Sequence, residues 1–266
     1  MRPVLDESLH TFRRFAERHG YDVVVGGEEA IEDRAPAWSK VVLLRRLLEK
    51  YDYVLWIDAD AIILDDSVDP VSLFGEGHYQ ALVRYCWNEE ECACTGVWLL
   101  RNVEKAVAFL DAVWESGDGY LRLHPWEQAA VMRLLGYSVD PARFVAATEW
   151  TDGTLWLANE WDTIPAFTLK RRLVECKIRH YARESNRIRR HQMRTDRHAI
   201  YAVSAERSTA RTWHHLASWA GLMRWNLAYR HKSAAYDLAR RTGLVKAVQA
   251  LGYGGKSRYT DPSATP

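Results

Sequence analysis

Apolar positions near the start of the chain recur with helical spacing. Leu9, Phe12 and Phe15, with Ala16, share one face of a helix predicted over residues 5–19, and Gly20 follows as a C-terminal cap. Residues 21–25, YDVVV, read as a strand, and residues 26–36 as a polar, acidic loop ending in Ala35-Pro36. A second helix is predicted over 38–50, with Val41, Leu44, Leu47 and Leu48 as its buried stripe. The run Tyr53–Ile57 then reads as a buried strand and stops abruptly at Asp58-Ala59-Asp60. Asp69-Pro70-Val71 opens a short helical turn. Residues 79–85 read as a strand, 87–91 as an acidic loop, and 95–101 as an apolar strand entered through Gly96. Helices follow over 103–115 and 125–135, the second with Pro at its first turn, where the missing N–H costs nothing. Weaker strands fall at 138–145, 154–158 and 178–182, the last carrying His180. This rhythm predicts an α/β fold, a mostly parallel central sheet flanked by helices.

With 266 residues and 48% hydrophobic content, the chain can build one large α/β domain with an appendage. The expected division is 1–184 for the α/β domain, 185–252 for a basic helical extension with helices at 213–229 and 234–251, and 253–266 for a disordered Gly-, Ser- and Pro-rich tail. Formal net charge is +1, which gives no argument for nucleic acid. Charge is uneven, however: residues 170–211 hold 13 Lys/Arg against 4 Asp/Glu. Such a stretch is a solvated face or a peripheral contact with an anionic membrane surface. Twelve tryptophans and thirteen tyrosines suit both a core and sugar-stacking platforms. Cys86, Cys92, Cys94 and Cys176 form no C-x-x-C pair and read as free thiols, with a zinc site as the lesser alternative. The start MRPVLDESLH has no apolar h-region, and no apolar stretch is long enough to span a bilayer. A cytoplasmic protein is expected, with the basic extension able to touch the inner face of the membrane.

The chemistry concentrates where the strand Tyr53–Ile57 ends. Residues two apart on a strand share a face, so Asp58 and Asp60 are expected to point the same way. Ligands of open α/β sheets bind at the C-terminal ends of strands. Two adjacent carboxylates stay ionised together when a cation sits between them, and hard oxygen ligands suit Mg²⁺ or Mn²⁺ with phosphate oxygens completing the shell. A divalent metal holding a diphosphate is the expectation.

The order Trp38-Ser39-Lys40, LLRRLL, YVLWIDADAIIL, TGVWLLRN, WEQAAV, NEWDTIP and IRHYA resembles GT-A-fold glycosyltransferases over residues 5–183. It is most similar to family 34, retaining α-galactosyl-, α-mannosyl- and α-xylosyltransferases, with family 8 as a near neighbour. The resemblance implies transfer of a hexose or pentose from a nucleotide sugar (UDP-sugar favoured, GDP-sugar the alternative) to a hydroxyl of a saccharide or glycosylated small molecule, with retention. It implies that Asp58, Asp60 and His180 hold Mn²⁺ or Mg²⁺, Asp60 with both oxygens. Trp38 and Lys40 would lie on the donor, with Lys40 contacting the sugar or diphosphate, and Thr95 and Gly96 beneath the donor sugar. Glu127 and Gln128 would flank the anomeric carbon. Asn159, Trp161 and Asp162 would line the acceptor side, and Arg183 would reach the diphosphate.

The sequence departs from that pattern where Cys94 replaces an expected Asn, where Tyr181-Ala182-Arg183 lacks the usual glycine, and at the start, where the chain opens in the first helix and not in a base-gripping strand. Two rival readings stand beside it. A haloacid-dehalogenase-type phosphatase also places D-x-D at a strand end, with the first Asp as nucleophile, but prefers Thr, Val or Gly where Ala61-Ile62 stands. A glycosyltransferase-like domain without catalysis would leave the basic extension as the working part, docking on a membrane or partner.

Overall fold

A computed structural model describes residues 2–26, 31, 34–87, 90–116, 126–164, 176–182 and 186–205. By internal packing the chain divides into units of residues 1–197 and 198–266. The first unit holds a four-stranded sheet in the order β1-β4-β3-β7. Its strands are β1 (Tyr53–Ile57), β3 (Gln80–Trp87), β4 (Glu90–Arg101) and β7 (Thr154–Leu157). Two short pairs accompany it, β2 (Ala61–Ile63) with β8 (Ile178–His180), and β5 (Tyr137–Val139) with β6 (Ala142–Phe144). The helices are α1 (Arg2–His19), α2 (Ser39–Leu47), α3 (Glu104–Glu115), α4 (Glu127–Leu134) and α5 (Asn186–Ala205).

The α/β class agrees with the expectation, but the sheet is mixed and not mostly parallel. β1 and β3 both run antiparallel to β4, and β3–β7 is its parallel pair. Two features explain the difference. β3 and β4 are separated by two residues, a connection that permits only antiparallel pairing. Residues 21–25, expected to form a strand, have no regular secondary structure and pair with no strand among the described residues, and Val23, Val24 and Val25 are 40–48% exposed. β1 is consequently an edge strand. Its even-numbered residues bond β4, as Asp58 N to Gly96 O at 2.8 Å and Asn102 N to Asp52 O at 2.7 Å show. Tyr53, Leu55 and Ile57 turn their backbone groups to the opposite side, where no partner stands among the described residues. That edge looks into a groove of about 460 Å³ lined by Leu9, Phe12, Val24, Leu43 and Leu55.

The main core lies on the other flank. Trp38, Leu44 and Leu48 of the α2 region meet Trp98 and Leu100 of β4, Phe109 and Leu110 of α3, and Val131 and Leu135 at α4, all fully or nearly fully buried. Burial of aromatic side chains of this size dominates core energetics, on the order of 2–3 kcal/mol each. The buried amide of Gln80 is satisfied on both ends, accepting from Trp98 Nε1 (2.9 Å) and donating to Thr154 Oγ1 (2.9 Å).

α1 buries a face that coincides with its apolar stripe only at Phe15 and Ala16. Val4, Glu7, Ser8, Thr11, Phe15 and Ala16 are inside, while Leu9 and Phe12 line the groove. The polar members face backbone and charge. Ser8 Oγ donates to Ala59 O (3.0 Å), Thr11 Oγ1 accepts from Ile63 N (3.1 Å), and Glu7 meets Arg190, Arg194 and Arg197 of α5. α1 thus braces the acidic turn after β1, and α5 braces α1. The expected helices at 213–229 and 234–251 lie outside the described residues. Among the described residues no helix is long and apolar enough to cross a membrane.

Candidate active site

Three local features build the site. β1 runs out at Ile57, and the chain turns at once through Asp58–Asp60 into β2. β8 lies antiparallel to β2 with His180 opposite Ala61, which carries the imidazole to the acidic turn. Between them β4 bulges. Leu82 and Val83 are neighbours on β3, yet they pair with Trp98 and Cys94, so Thr95, Gly96 and Val97 stand off that partner. Bulges of this kind re-aim side chains next to functional sites.

The acids and the histidine converge. His180 Nε2 lies 3.3 Å from Asp60 Oδ1 and 3.7 Å from Asp58 Oδ2. His180 Nδ1 lies 3.0 Å from Asp162 Oδ1. Lys40, at the start of α2, sends its ammonium to Asp58 Oδ1 (3.1 Å), Glu127 Oε1 (3.0 Å) and Thr95 O (3.0 Å). Trp56 Nε1 donates to Asp58 Oδ1 at 2.6 Å, and Arg189 of α5 reaches Asp60 Oδ2 at 3.2 Å. Thr95 Oγ1 donates to Glu127 Oε1 (3.1 Å), and its amide points to Gln128 Oε1 (3.4 Å). Four carboxylates, Asp58, Asp60, Glu127 and Asp162, therefore face two permanent cations, Lys40 and Arg189, and one histidine.

The electrostatics follow from burial and these partners. Burial opposes a charged imidazole at His180, but Asp162 and Asp60 overcome it and raise its pKa well above the ordinary value. Burial works against the Asp60 carboxylate too, yet His180 and Arg189 hold its pKa below the usual carboxylate range. Lys40 is raised for the same reason, desolvation being outweighed by Asp58 and Glu127. Burial pushes the Cys94 thiol up, with Asp162 adding to the effect. Cys92, Cys94 and Cys176 form no disulfide among the described residues.

Several residues stand elsewhere than the resemblance implied. Trp38 is fully buried in the core, edge-on to Trp114 at 6.2 Å, and offers no surface to a donor. Gly96 is small because His180 needs the space: a Cβ there would stand 2.4 Å from His180 Cε1. Asp162 is 0% exposed against His180 and cannot line an open acceptor face. Asn159 is half-buried in a short 3₁₀ turn, Asn159–Trp161, and its carbonyl accepts from Thr163 Oγ1 at 2.8 Å. Arg183 lies outside the described residues. Two contributors were missed. Trp56 was legible, because it precedes Asp58 by two positions and shares its side of the strand. Arg189 carried no local signal, since it reaches Asp60 from a separate helix.

A cation fits what these residues offer. Oxygen and nitrogen ligands about 2.1 Å from an octahedral ion stand about 3 Å apart. Asp58, Asp60 and His180 present one atom each at close to that spacing, and all lie within 4.8 Å of one another. A second cluster, Cys94, Asp162 and His180, shares the histidine and is buried throughout.

Residues 2–73 match the family described as galactosyl transferase GMA12/MNN10, glycosyltransferase family 34. The match spans about a quarter of the chain and makes that stretch similar to family 34. Its fold is similar to that of a glycosyltransferase involved in the glycosylation of the major capsid of PBCV-1, at 16% identity over 72% of this chain and 92% of that one, TM-score 0.54. GlyE of Streptococcus pneumoniae TIGR4 superposes more loosely, at 14% identity over 82% of this chain and 52% of that one, TM-score 0.43. No curated protein matches in sequence. The first likeness, with the mixed sheet flanked by helices, makes the fold GT-A-like. The family match supports a glycosyltransferase and favours glycosyl transfer over the phosphatase alternative.

Proposed function

We propose that this glycosyltransferase moves a hexose or pentose from a nucleotide sugar to a hydroxyl of a saccharide or glycoside, with a divalent cation held by Asp58, Asp60 and His180. The convergence of those three side chains at the end of β1 carries the reading. UDP-sugar is the favoured donor and GDP-sugar the alternative. Mn²⁺ or Mg²⁺, when bound, supplies Lewis acidity and neutralises charge on a diphosphate.

The remaining residues have roles that their contacts support. Lys40 has its three donors engaged and serves as a tie between Asp58 and Glu127, keeping both carboxylates fixed. Arg189 adds a positive charge beside Asp60, where a leaving diphosphate gains electrostatic stabilisation. Gln128 is half-buried and is the member of the Glu127–Gln128 pair with a face for the substrate, while Glu127 is buried behind it against Thr95 and Lys40. In the reaction the bond from the anomeric carbon to the diphosphate breaks with oxocarbenium character. The acceptor oxygen forms the new glycosidic bond, and its proton leaves with the diphosphate. Retention follows from the resemblance to family 34 and is checked by the anomeric proton coupling of the first product formed.

The decisive experiment is calorimetric titration of UDP and of GDP, each with and without Mn²⁺, into wild type and Asp58→Asn/Asp60→Asn. The expected result is binding of one nucleotide that needs Mn²⁺ and disappears in the double variant. Binding that ignores both the metal and the two substitutions overturns the metal assignment.

A further inference from the structure

Each of the three convergent ligand atoms belongs to a group whose other heteroatom is already taken. Asp58 gives Oδ1 to Trp56 and Lys40 and keeps Oδ2 for the centre. Asp60 gives Oδ2 to Arg189 and keeps Oδ1, which favours binding through one oxygen over the two that the resemblance implied. For His180 the second partner is a carboxylate that no solvent reaches. We propose that Asp162 is a positioning residue: by accepting the Nδ1–H of His180 it holds the imidazole in the tautomer whose Nε2 lone pair faces Asp58 and Asp60, ready for a divalent cation. This rests on the metal reading given above.

The arrangement is built into the backbone. Thr163 N donates to Ile178 O (2.9 Å) and His180 N to Thr163 O (3.0 Å), so the segment holding Asp162 is stitched alongside β8. Asp162 is 0% exposed, and burying a carboxylate costs several kcal/mol unless a partner offsets it. The imidazole N–H at 3.0 Å is that partner. An ionised carboxylate can only accept, so the proton on this contact stays on Nδ1, and Nε2 is the nitrogen that gives up its proton and offers its lone pair when a cation binds. Gly96 leaves the ring its place beside Asp162: a Cβ there would stand 2.4 Å from Cε1 and 2.5 Å from Nδ1 and would push the ring out of it. Metal-bound histidines commonly carry such a carboxylate on the far nitrogen, and its loss weakens metal binding by about 10–100-fold.

The test is Mn²⁺ affinity of the full chain, read from the electron paramagnetic resonance of free Mn²⁺, for wild type, Asp162→Asn, His180→Gln and the double variant. Asp162→Asn is expected to raise the Mn²⁺ Kd by about 10–100-fold. In the His180→Gln background the same change is expected to add nothing, because Asp162 acts through the ring. Wild type that binds no Mn²⁺ overturns the metal reading itself, and the proposal with it. Wild-type binding with an unchanged Kd in Asp162→Asn overturns the proposal alone, as does an equal additional loss in the His180→Gln background. Should Asp162→Asn not fold, the ¹⁵N spectrum of Zn²⁺-loaded wild type decides. A His180 proton on Nδ1 supports the proposal, and one on Nε2 overturns it.

Discussion

At the residue scale, small size and fixed charge matter most at Gly96 and Lys40. Gly96→Ala forces a methyl into contact with the buried His180 ring. The expected outcome is a loss of about 1–3 kcal/mol from overpacking. A weaker Mn²⁺ Kd is expected alongside it, and a melt paired with the resonance titration reads both. Lys40→Met strands the buried Glu127 carboxylate and removes a partner of Asp58. Breaking a buried pair from one side costs about 3–5 kcal/mol. Urea denaturation checks this, and Lys40→Met/Glu127→Gln is expected to recover part of the loss. Much of this scale was legible beforehand. Asp58 and Asp60 stood out because an apolar strand ended in them, and the ordered motifs drew His180, Glu127 and Lys40 to the same place. What could not be read was which partner each side chain takes. Asp162 and Gly96 serve His180, a contact between segments far apart in the chain, and no local pattern encodes it.

At the scale of elements, helices and strands with their own periodicity were foreseen within a few residues, as α2, α3, α4, β1 and β8 were. The failures have physical causes. The run at 21–25 has strand-like residues but pairs with no strand among the described residues, and β propensity without a partner does not make a strand. In α1 the inward face includes Glu7, Ser8 and Thr11, because that face meets backbone carbonyls and arginines and not a hydrophobic layer. α5 is rich in Arg, and its packing by ion pairs leaves no mark in the apolar pattern. Those ion pairs set a pH dependence. Burial favours protonation of Glu7, but Arg194, Arg197 and Arg190 prevail and lower its pKa below the ordinary 4.5. A carboxylate depressed in the folded state stabilises above its unfolded pKa, and the effect is lost as pH falls through the folded value. Wild type is therefore expected to exceed Glu7→Gln in stability at neutral pH, with the gap closing only on acidification below about 4.5. Chemical denaturation at a series of pH values measures it.

At the scale of the whole molecule, the packed unit holding the site continues through the first half of α5. Arg179 and Asp196, both buried, pair at 3.3 Å, and Tyr181 donates to Asp196 at 2.7 Å. A chain ended at residue 184 loses Asp196 and Arg189 together and leaves the Arg179 charge without its carboxylate. It is expected to melt well below a chain ended at 205, by an amount of about 3–5 kcal/mol at the level of this pair. Composition suggested a boundary near residue 184 because the charge changes there. Charge, however, marks where arginines begin, and here several of them turn inward to acids of the preceding elements.

The open side of β1 bears on how the protein behaves in a crowded tube. Unpaired backbone groups beside exposed valines are an adhesive surface on which one copy can template another, and proteins usually blunt such edges with charge. Among the described residues that line the groove there is no lysine: Val23, Val24, Val25, Leu9 and Phe12 border it, with acidic Asp22, Asp52 and Asp69. Val24→Lys places a gatekeeper there, at a position that contributes no group to the site, and is expected to lower light scattering at high concentration while leaving sugar transfer unchanged. The limit on handling this enzyme is then its stickiness along one strand, a property separable from its chemistry.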